Sequence, residues 1–361
     1  MLRAYLAGIA LPVLAVVAAL LAAALLSQSG SSAPSLDRMV GQTIMTSMAG
    51  TAPDASLLGR VRAGQVGGVI LFGANVVTRP QVSALVARLQ QAAKAGGNPP
   101  LLIATDQEGG PIRRFHSCPP FQSAQTMGST LTSAQVTSVG RATGTCLRSL
   151  GVSVNLAPVL DVPSSPSNFL GSRAFSENVA TVARLGPAFA TGVQQARDAA
   201  TAKHFPGLGT APGNTDLGVV VIHTSKQELM RRLAPYPVAI RAGVKLVMVS
   251  NASYPALDPS GVPALISKPI VTGLLRGQLG FHGLVITDSI TAPGPKSFAD
   301  TPVRALKAGV DVLLYADLES VSAAGYRQVL QAARTGSLPR STLQAADTRI
   351  ASLKAWLYPT R

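Results

Sequence analysis

The sequence predicts an α/β protein of the (β/α)8 TIM-type barrel class, and three observations carry that prediction. Short apolar runs suited to strands alternate with stretches whose apolar residues recur at helical spacing, which implies parallel strands covered by helices. The 361-residue chain is 47% apolar but only 4% aromatic, rich in Ala, Val, Leu and Gly, and so suits a helix-rich α/β core. Polar, chemically active side chains stand where successive strands end, which in such a barrel is one common rim. An open doubly wound sheet is the alternative architecture.

The strand-like runs are residues 68–72, 101–105, 152–162, 202–205, 245–250, 284–287 and 310–315. Between them, Val82, Leu85, Val86 and Leu89 share one helical face, as do Val179, Val182, Ala183 and Leu185, with that helix continuing through Phe189 and Val193. Helical spacing returns over 229–240, 271–279, 303–306, 326–333 and 343–353. These runs fall one strand short of a closed barrel, so one short or irregular strand is expected.

The first residues stand apart. Arg3 precedes an uncharged stretch from Ala4 to Leu26, longer than the roughly 20 residues that span a bilayer as one helix. Ser27-Gln28-Ser29-Gly30-Ser31-Ser32-Ala33-Pro34 follows. The expected organisation is a signal anchor or signal peptide over 1–26, a flexible linker over 27–36 and one domain over 37–361. The chain is thus expected to be extracytoplasmic, either secreted or held to the membrane by an uncleaved helix.

The formal charge is +15. For an exported protein that charge favours an anionic envelope surface over nucleic acid, and the scarcity of aromatics argues against a single-strand-binding face. Cys118 and Cys146 are the only cysteines; one disulfide and two buried thiols are both open readings. The four histidines, His116, His204, His223 and His282, show no paired ligand spacing, and no Walker loop or dinucleotide glycine fingerprint is present. Neither a metal nor another cofactor is expected. A Gly-x-Ser-x-Gly elbow is also missing, which counts against a serine hydrolase.

Asp106 ends the 101–105 run and opens Asp106-Gln107-Glu108-Gly109-Gly110; Asp161 lies near the end of 152–162. Lys203 and His204 end the next strand, Ser250 and Asn251 stand at the end of 245–250, and Asp288 follows 284–287. Each alone could be a helix N-cap, which favours Asp, Ser and Asn after strands. As a set they describe a site. Arg113, Arg114, Arg173 and Lys203 offer donors, and Asp106 and Asp288 offer acceptors, for the hydroxyls of a sugar ring. A buried carboxylate there can attack an anomeric carbon.

At these residues the chain resembles glycoside hydrolase family 3, specifically the single-domain bacterial β-N-acetylglucosaminidases acting on wall-derived sugars. The likeness runs over about 37–355. Asp106-Gln107-Glu108-Gly109-Gly110 followed by Arg114-Phe115 resembles the family's first substrate loop. Asn155-Leu156-Ala157-Pro158-Val159-Leu160-Asp161-Val162 and Ser172-Arg173-Ala174-Phe175 resemble two further elements, and Lys203-His204-Phe205-Pro206-Gly207 its hallmark. Ser250-Asn251-Ala252-Ser253-Tyr254-Pro255 and Gly283-Leu284-Val285-Ile286-Thr287-Asp288-Ser289 complete the series in the family's order. The resemblance implies a retaining exo-glycosidase with Asp288 as nucleophile and with Asp106, Arg114, Arg173, Lys203 and His204 binding the sugar. The implied substrate is a cell-wall amino-sugar glycan; the preference for an N-acetyl group comes from the resemblance alone.

The chain departs from the family at one place. Members of this type continue the hallmark as Gly-His-Gly and then present Asp-Ser-His, whose histidine is the acid/base. Here Leu208 takes the first position, and Asn214-Thr215-Asp216-Leu217-Gly218 holds no histidine. Asp216 either occupies the place of that histidine and serves as acid/base, or matches the dyad's aspartate with the histidine missing. A glycan-binding barrel with little or no turnover and a β-glucosidase-like hydrolase are the alternative functions.

Overall fold

The structure, a computed structural model, describes residues 34–359. The 1–26 segment expected as an anchor or signal, and most of the expected linker, lie outside the described residues. Among those described, no helix is long and apolar enough to cross a membrane. Leu36–Arg361 forms the folded unit.

In chain order its strands are β1 (Ile44–Thr46), β2 (Gly68–Leu71), β3 (Leu102–Thr105), β4 (Gln107–Gly109), β5 (Ile112–Arg113), β6 (Val154–Asn155), β7 (Ala199–Phe205), β8 (Leu246–Val249), β9 (Leu284–Thr287) and β10 (Leu313–Tyr315). All but the β4–β5 hairpin join one parallel sheet in the order β10-β1-β2-β3-β6-β7-β8-β9. A parallel bridge between Ile286 and Val312, with the Thr287 N–H donating to the Val312 carbonyl at 3.0 Å, closes that sheet into a ring. The expected (β/α)8 barrel is therefore the architecture found. Side-chain alternation divides its core. Met45, Ile70, Ala104, Val154, Met248, Ile286 and Leu314 share one buried cluster, whereas Val69, Leu71 and Ile103 pack in another with helical residues such as Leu85 and Leu89.

The helices are α1 (Leu36–Gln42), α2 (Ala55–Arg62), α3 (Arg79–Ala95), α4 (Ala124–Thr130), α5 (Ser133–Ser149), α6 (Val179–Gln195), α7 (Lys226–Arg232) and α8 (Pro235–Arg241). After a π-type helix over Pro269–Gln278 come α9 (Pro293–Lys296), α10 (Thr301–Ala308), α11 (Glu319–Arg334) and α12 (Arg340–Leu357).

Three local departures from the sequence reading have physical causes. The eighth strand is β1, only three residues between Thr43 and Ser47, too short to show a period. Only Val154 and Asn155 of the 152–162 run form a strand. Pro158 has no N–H for the ladder, and pairing resumes at a single bridge from Val159 to Lys203. Helix α5 was invisible to an apolar period because its buried face is made of Val136, Gly140, Thr143, Gly144 and Leu147. It meets α6 so closely that a Cβ on Gly140 would lie 2.3 Å from the Phe189 carbonyl oxygen.

Candidate active site

The C-terminal rim of the barrel surrounds a cavity of about 440 Å³ whose lining includes Asp106, Glu108, Arg114, Arg173, Lys203, His204, Asp216 and Asp288. The expected catalytic pair Asp288 and Asp216 and the expected sugar-binding residues Asp106, Arg114, Arg173, Lys203 and His204 therefore reach one cavity. Arg113, counted among the donors, does not line it: neighbours on a strand face opposite ways, and Arg113 stacks its guanidinium over Phe121 at 5.3 Å.

Lys203 is the centre of the floor. Two residues before the end of β7 and buried, it sets Nζ 2.8 Å from Asp106 Oδ1 and 2.7 Å from Glu108 Oε1. Glu108 in turn accepts two hydrogen bonds from Arg173, from Nε at 2.8 Å and Nη2 at 2.9 Å. Arg114 Nη2 lies 4.0 Å from Asp106 Oδ2, and its guanidinium stacks over Phe72 at 5.8 Å. Burial pushes the Glu108 carboxyl up, but the Lys203 and Arg173 charges outweigh it and hold Glu108 well below the usual carboxylate range. Burial likewise works against the Lys203 cation, and Asp106 and Glu108 override it, so its pKa is raised. The floor is thus a fixed array of alternating full charges.

The β4–β5 hairpin explains how Asp106 and Glu108 meet Lys203. Gln107, between them, is fully buried and clamps the following turn: its Nε2 donates to the carbonyls of Phe115, Cys118 and Pro119, and its Oε1 accepts from the Phe115 N–H. Gly109 and Gly110 turn the hairpin with φ of 103° and 55°, and a Cβ on Gly109 would meet the Gln122 carbonyl oxygen at 2.2 Å. A disulfide between Cys118 and Cys146 ties the same loop to α5, settling the open cysteine question in favour of pairing.

His204 is held from behind. Its Nδ1 lies 2.7 Å from Asp161 Oδ2, and Asp161 also accepts from the Leu208 N–H at 2.7 Å through Oδ1. Asp161 therefore positions both the imidazole and the turn that follows it. Leu208, where the family pattern has histidine, is buried and lines the cavity.

Asp288 follows β9, its N–H bonded to the Val249 carbonyl at 2.9 Å and its Oδ1 accepting from the Ser289 N–H at 2.7 Å. Asn251 Nδ2 donates to the Ser289 carbonyl at 3.0 Å and steadies that turn from β8. Asp216 stands at the mouth on the long loop after β7, exposed by area, its N–H bonded to Asn214 Oδ1 at 3.0 Å. Partial desolvation first, and the negative Asp288 second, move its pKa up, against the pull of His204, Arg173 and Lys203.

Sequence reasoning missed two participants. Glu108 belongs to the Asp106–Gly110 motif, and its signal is the spacing: a carboxylate two residues from Asp106 points to a shared target. Asp317, after β10, lines the cavity with no motif around it. Among the described residues no cluster of His, Cys, Asp and Glu could hold a metal ion. The array can hold a neutral polyol ring by many hydrogen bonds, with one carboxylate beneath the ring and a protonatable one at its edge.

Comparison with known proteins agrees with this geometry. The family model of the glycosyl hydrolase family 3 N terminal domain matches residues 35–353. An uncharacterized secreted glycosyl hydrolase of Arthroderma benhamiae is 38% identical over 328 residues, 88% of this chain and 92% of that protein. The solved family 3 β-N-acetylglucosaminidase of a Paenibacillus species superposes with a TM-score of 0.87 at 32% identity, covering 90% of this chain and 63% of that longer one. The β-N-acetylhexosaminidase of Beutenbergia cavernae gives a TM-score of 0.83 at 32% identity, over 90% of this chain and the whole of the other.

Proposed function

The chain belongs to glycosyl hydrolase family 3, and from that premise we propose that it is an exported, retaining exo-glycosidase removing terminal β-linked N-acetylglucosamine from cell-wall glycans. The observation that carries the proposal is the convergence of Asp288 and Asp216 on one cavity whose floor is the Asp106–Lys203–Glu108–Arg173 array. Asp106, Lys203, Arg173, Arg114 and His204 bind the ring hydroxyls and fix the anomeric carbon. Asp288 attacks that carbon, and the bond to the leaving oxygen breaks as a glycosyl-aspartate ester forms. Asp216, whose raised pKa keeps its proton to higher pH, donates it to the leaving oxygen and then takes one from the water that opens the ester.

The amino-sugar preference is supported by the relatives' names, and export by the secreted relative and the apolar 4–26 stretch. The same reading keeps residues 1–26 as anchor or signal, 27–36 as linker and the basic surface as a contact for an anionic envelope. A glycan-binding barrel without turnover is the second reading, favoured by Leu208 and by the lack of histidine in 214–218.

The test compares an aryl β-N-acetylglucosaminide with the aryl β-glucoside, using Asp288→Asn as control. Turnover of the first, lost by about 10³-fold or more in the variant, is expected. Turnover of the glucoside alone would overturn the specificity, and glycan binding without turnover would leave the second reading. Asp216→Asn is expected to slow substrates with poor leaving groups about 10²-fold while sparing activated aryl glycosides. Equal loss on both would remove Asp216 as the acid.

A further inference from the structure

The Cys118–Cys146 disulfide has an asymmetric setting. Cys118 is fully buried beneath the loop that carries Asp106, Glu108 and Arg114, whereas Cys146 is partly exposed on α5. Arg79, the first residue of α3 and itself exposed, donates from Nη1 toward both sulfurs, 3.2 Å from Cys146 Sγ and 3.8 Å from Cys118 Sγ. Its Nη2 is pinned by Ser149 Oγ at 2.8 Å. Cys146 forms part of the wall of a cleft of about 750 Å³ that also contains Arg79, Arg141 and Ser149 and no Asp or Glu. A cation beside sulfur stabilises a thiolate, either attacking or leaving, and a cleft of one charge sign concentrates anions.

We propose that Cys146 is a thiol-exchange site, open to anionic thiols, through which reduction of the disulfide loosens the substrate loop. An incoming thiolate attacks the accessible Cys146 Sγ; the S–S bond breaks and its electron pair leaves on Cys118 Sγ, beside the Arg79 guanidinium. Cys118 then takes a proton from water. A second thiolate attacks the external sulfur of the mixed disulfide and releases Cys146 as thiolate, which is also protonated. In sum, two thiols are oxidised to one disulfide and the protein's disulfide is reduced to two cysteines. After exchange the loop keeps its Gln107 clamp and the ion pairs of Asp106 and Glu108 but loses its covalent tie to α5, so its backbone opens more often while the barrel strands stay closed.

Calling the loop a substrate loop rests on the proposed function, but neither readout below needs turnover. The full chain is treated with 2-mercaptoethanesulfonate or with cysteamine, disulfide cleavage is followed by alkylation and mass, and each rate is divided by that for a short linear disulfide peptide. The anionic thiol is expected to be favoured about fivefold or more at low salt. Arg79→Gln abolishes the preference and Arg79→Lys restores most of it. Amide hydrogen exchange over 106–118 accelerates at least tenfold on reduction, with no change in β7 to β9. Equal normalised rates for the two thiols, a preference that survives Arg79→Gln, or a loop whose exchange ignores reduction would each overturn the proposal.

Discussion

Lys203 and Lys354 are both buried lysines at opposite ends of the same barrel, and they carry opposite electrostatics. Lys203, at the C-terminal rim, lies between two carboxylates, and its pKa is raised. Lys354, on α12 beneath the N-terminal end, donates to Gln42 Oε1 at 2.6 Å and to the Gly67 carbonyl at 3.2 Å, both neutral. Burial drives its pKa down to about 7, with Asp347 only partly opposing the fall. Desolvation acts on both in the same sense; the partners decide the outcome. A barrel can bury a lysine at either end, but a permanent charge on it needs counter-charges, and of these two only Lys203 has carboxylates within hydrogen-bond reach.

The sharpest way to break this comparison is to remove each amine. Lys203→Met leaves Asp106 and Glu108 facing each other without their shared cation, and a loss of about 3–5 kcal/mol is expected in denaturant unfolding. Sugar turnover should fall by about 10³-fold or more with it. If the variant were no less stable than the wild type, pairing would not be what sustains the charge at the rim.

Glu108→Gln tests the same array from the acidic side and should cost about 3 kcal/mol at pH 7. Because the folded pKa of Glu108 lies below its unfolded value of 4.5, its contribution is complete above that value and is lost as pH falls toward the folded pKa. The gap in urea midpoint between wild type and variant should narrow steadily below about pH 4.5. A gap that stayed constant with pH would assign the loss to packing.

Lys354→Met should be the mildest, within about 1 kcal/mol at pH 7, because a neutral-partnered amine gives way to an apolar chain of similar length. The informative quantity is its pH dependence. With a folded pKa of about 7 against 10.5 unfolded, the unfolded chain binds more protons in that window, so Lys354 makes wild-type stability rise with pH across it. The variant should lack that rise; an unchanged slope would show that Lys354 is charged in the fold.

Much of the barrel was legible because its signals are local. Apolar runs, helical spacing and strand-end polar residues each occupy a few neighbouring positions, and they marked β2, β3, β7, β8 and β9 and placed Lys203, His204 and Asp288 on one rim. Elements that rely on contact rather than period were hidden. β1 is three residues that become a strand only between β10 and β2, and α5 buries glycines whose value lies in the close approach of α6.

The sequence by itself determined the fold class, the family and which side chains stand at strand ends, because backbone period and motif order are properties of adjacent residues. Tertiary structure alone decided which charges meet. Lys203 and Asp106 are 97 positions apart, and Arg173 and Glu108 are 65 apart. It also decided that Glu108 is a central partner, that Asp161 holds His204, that Asp216 overlooks Asp288 and that Cys118 pairs with Cys146. Charges and sulfurs act over a few ångströms of space, and only the closed ring of strands brings such distant positions within that range.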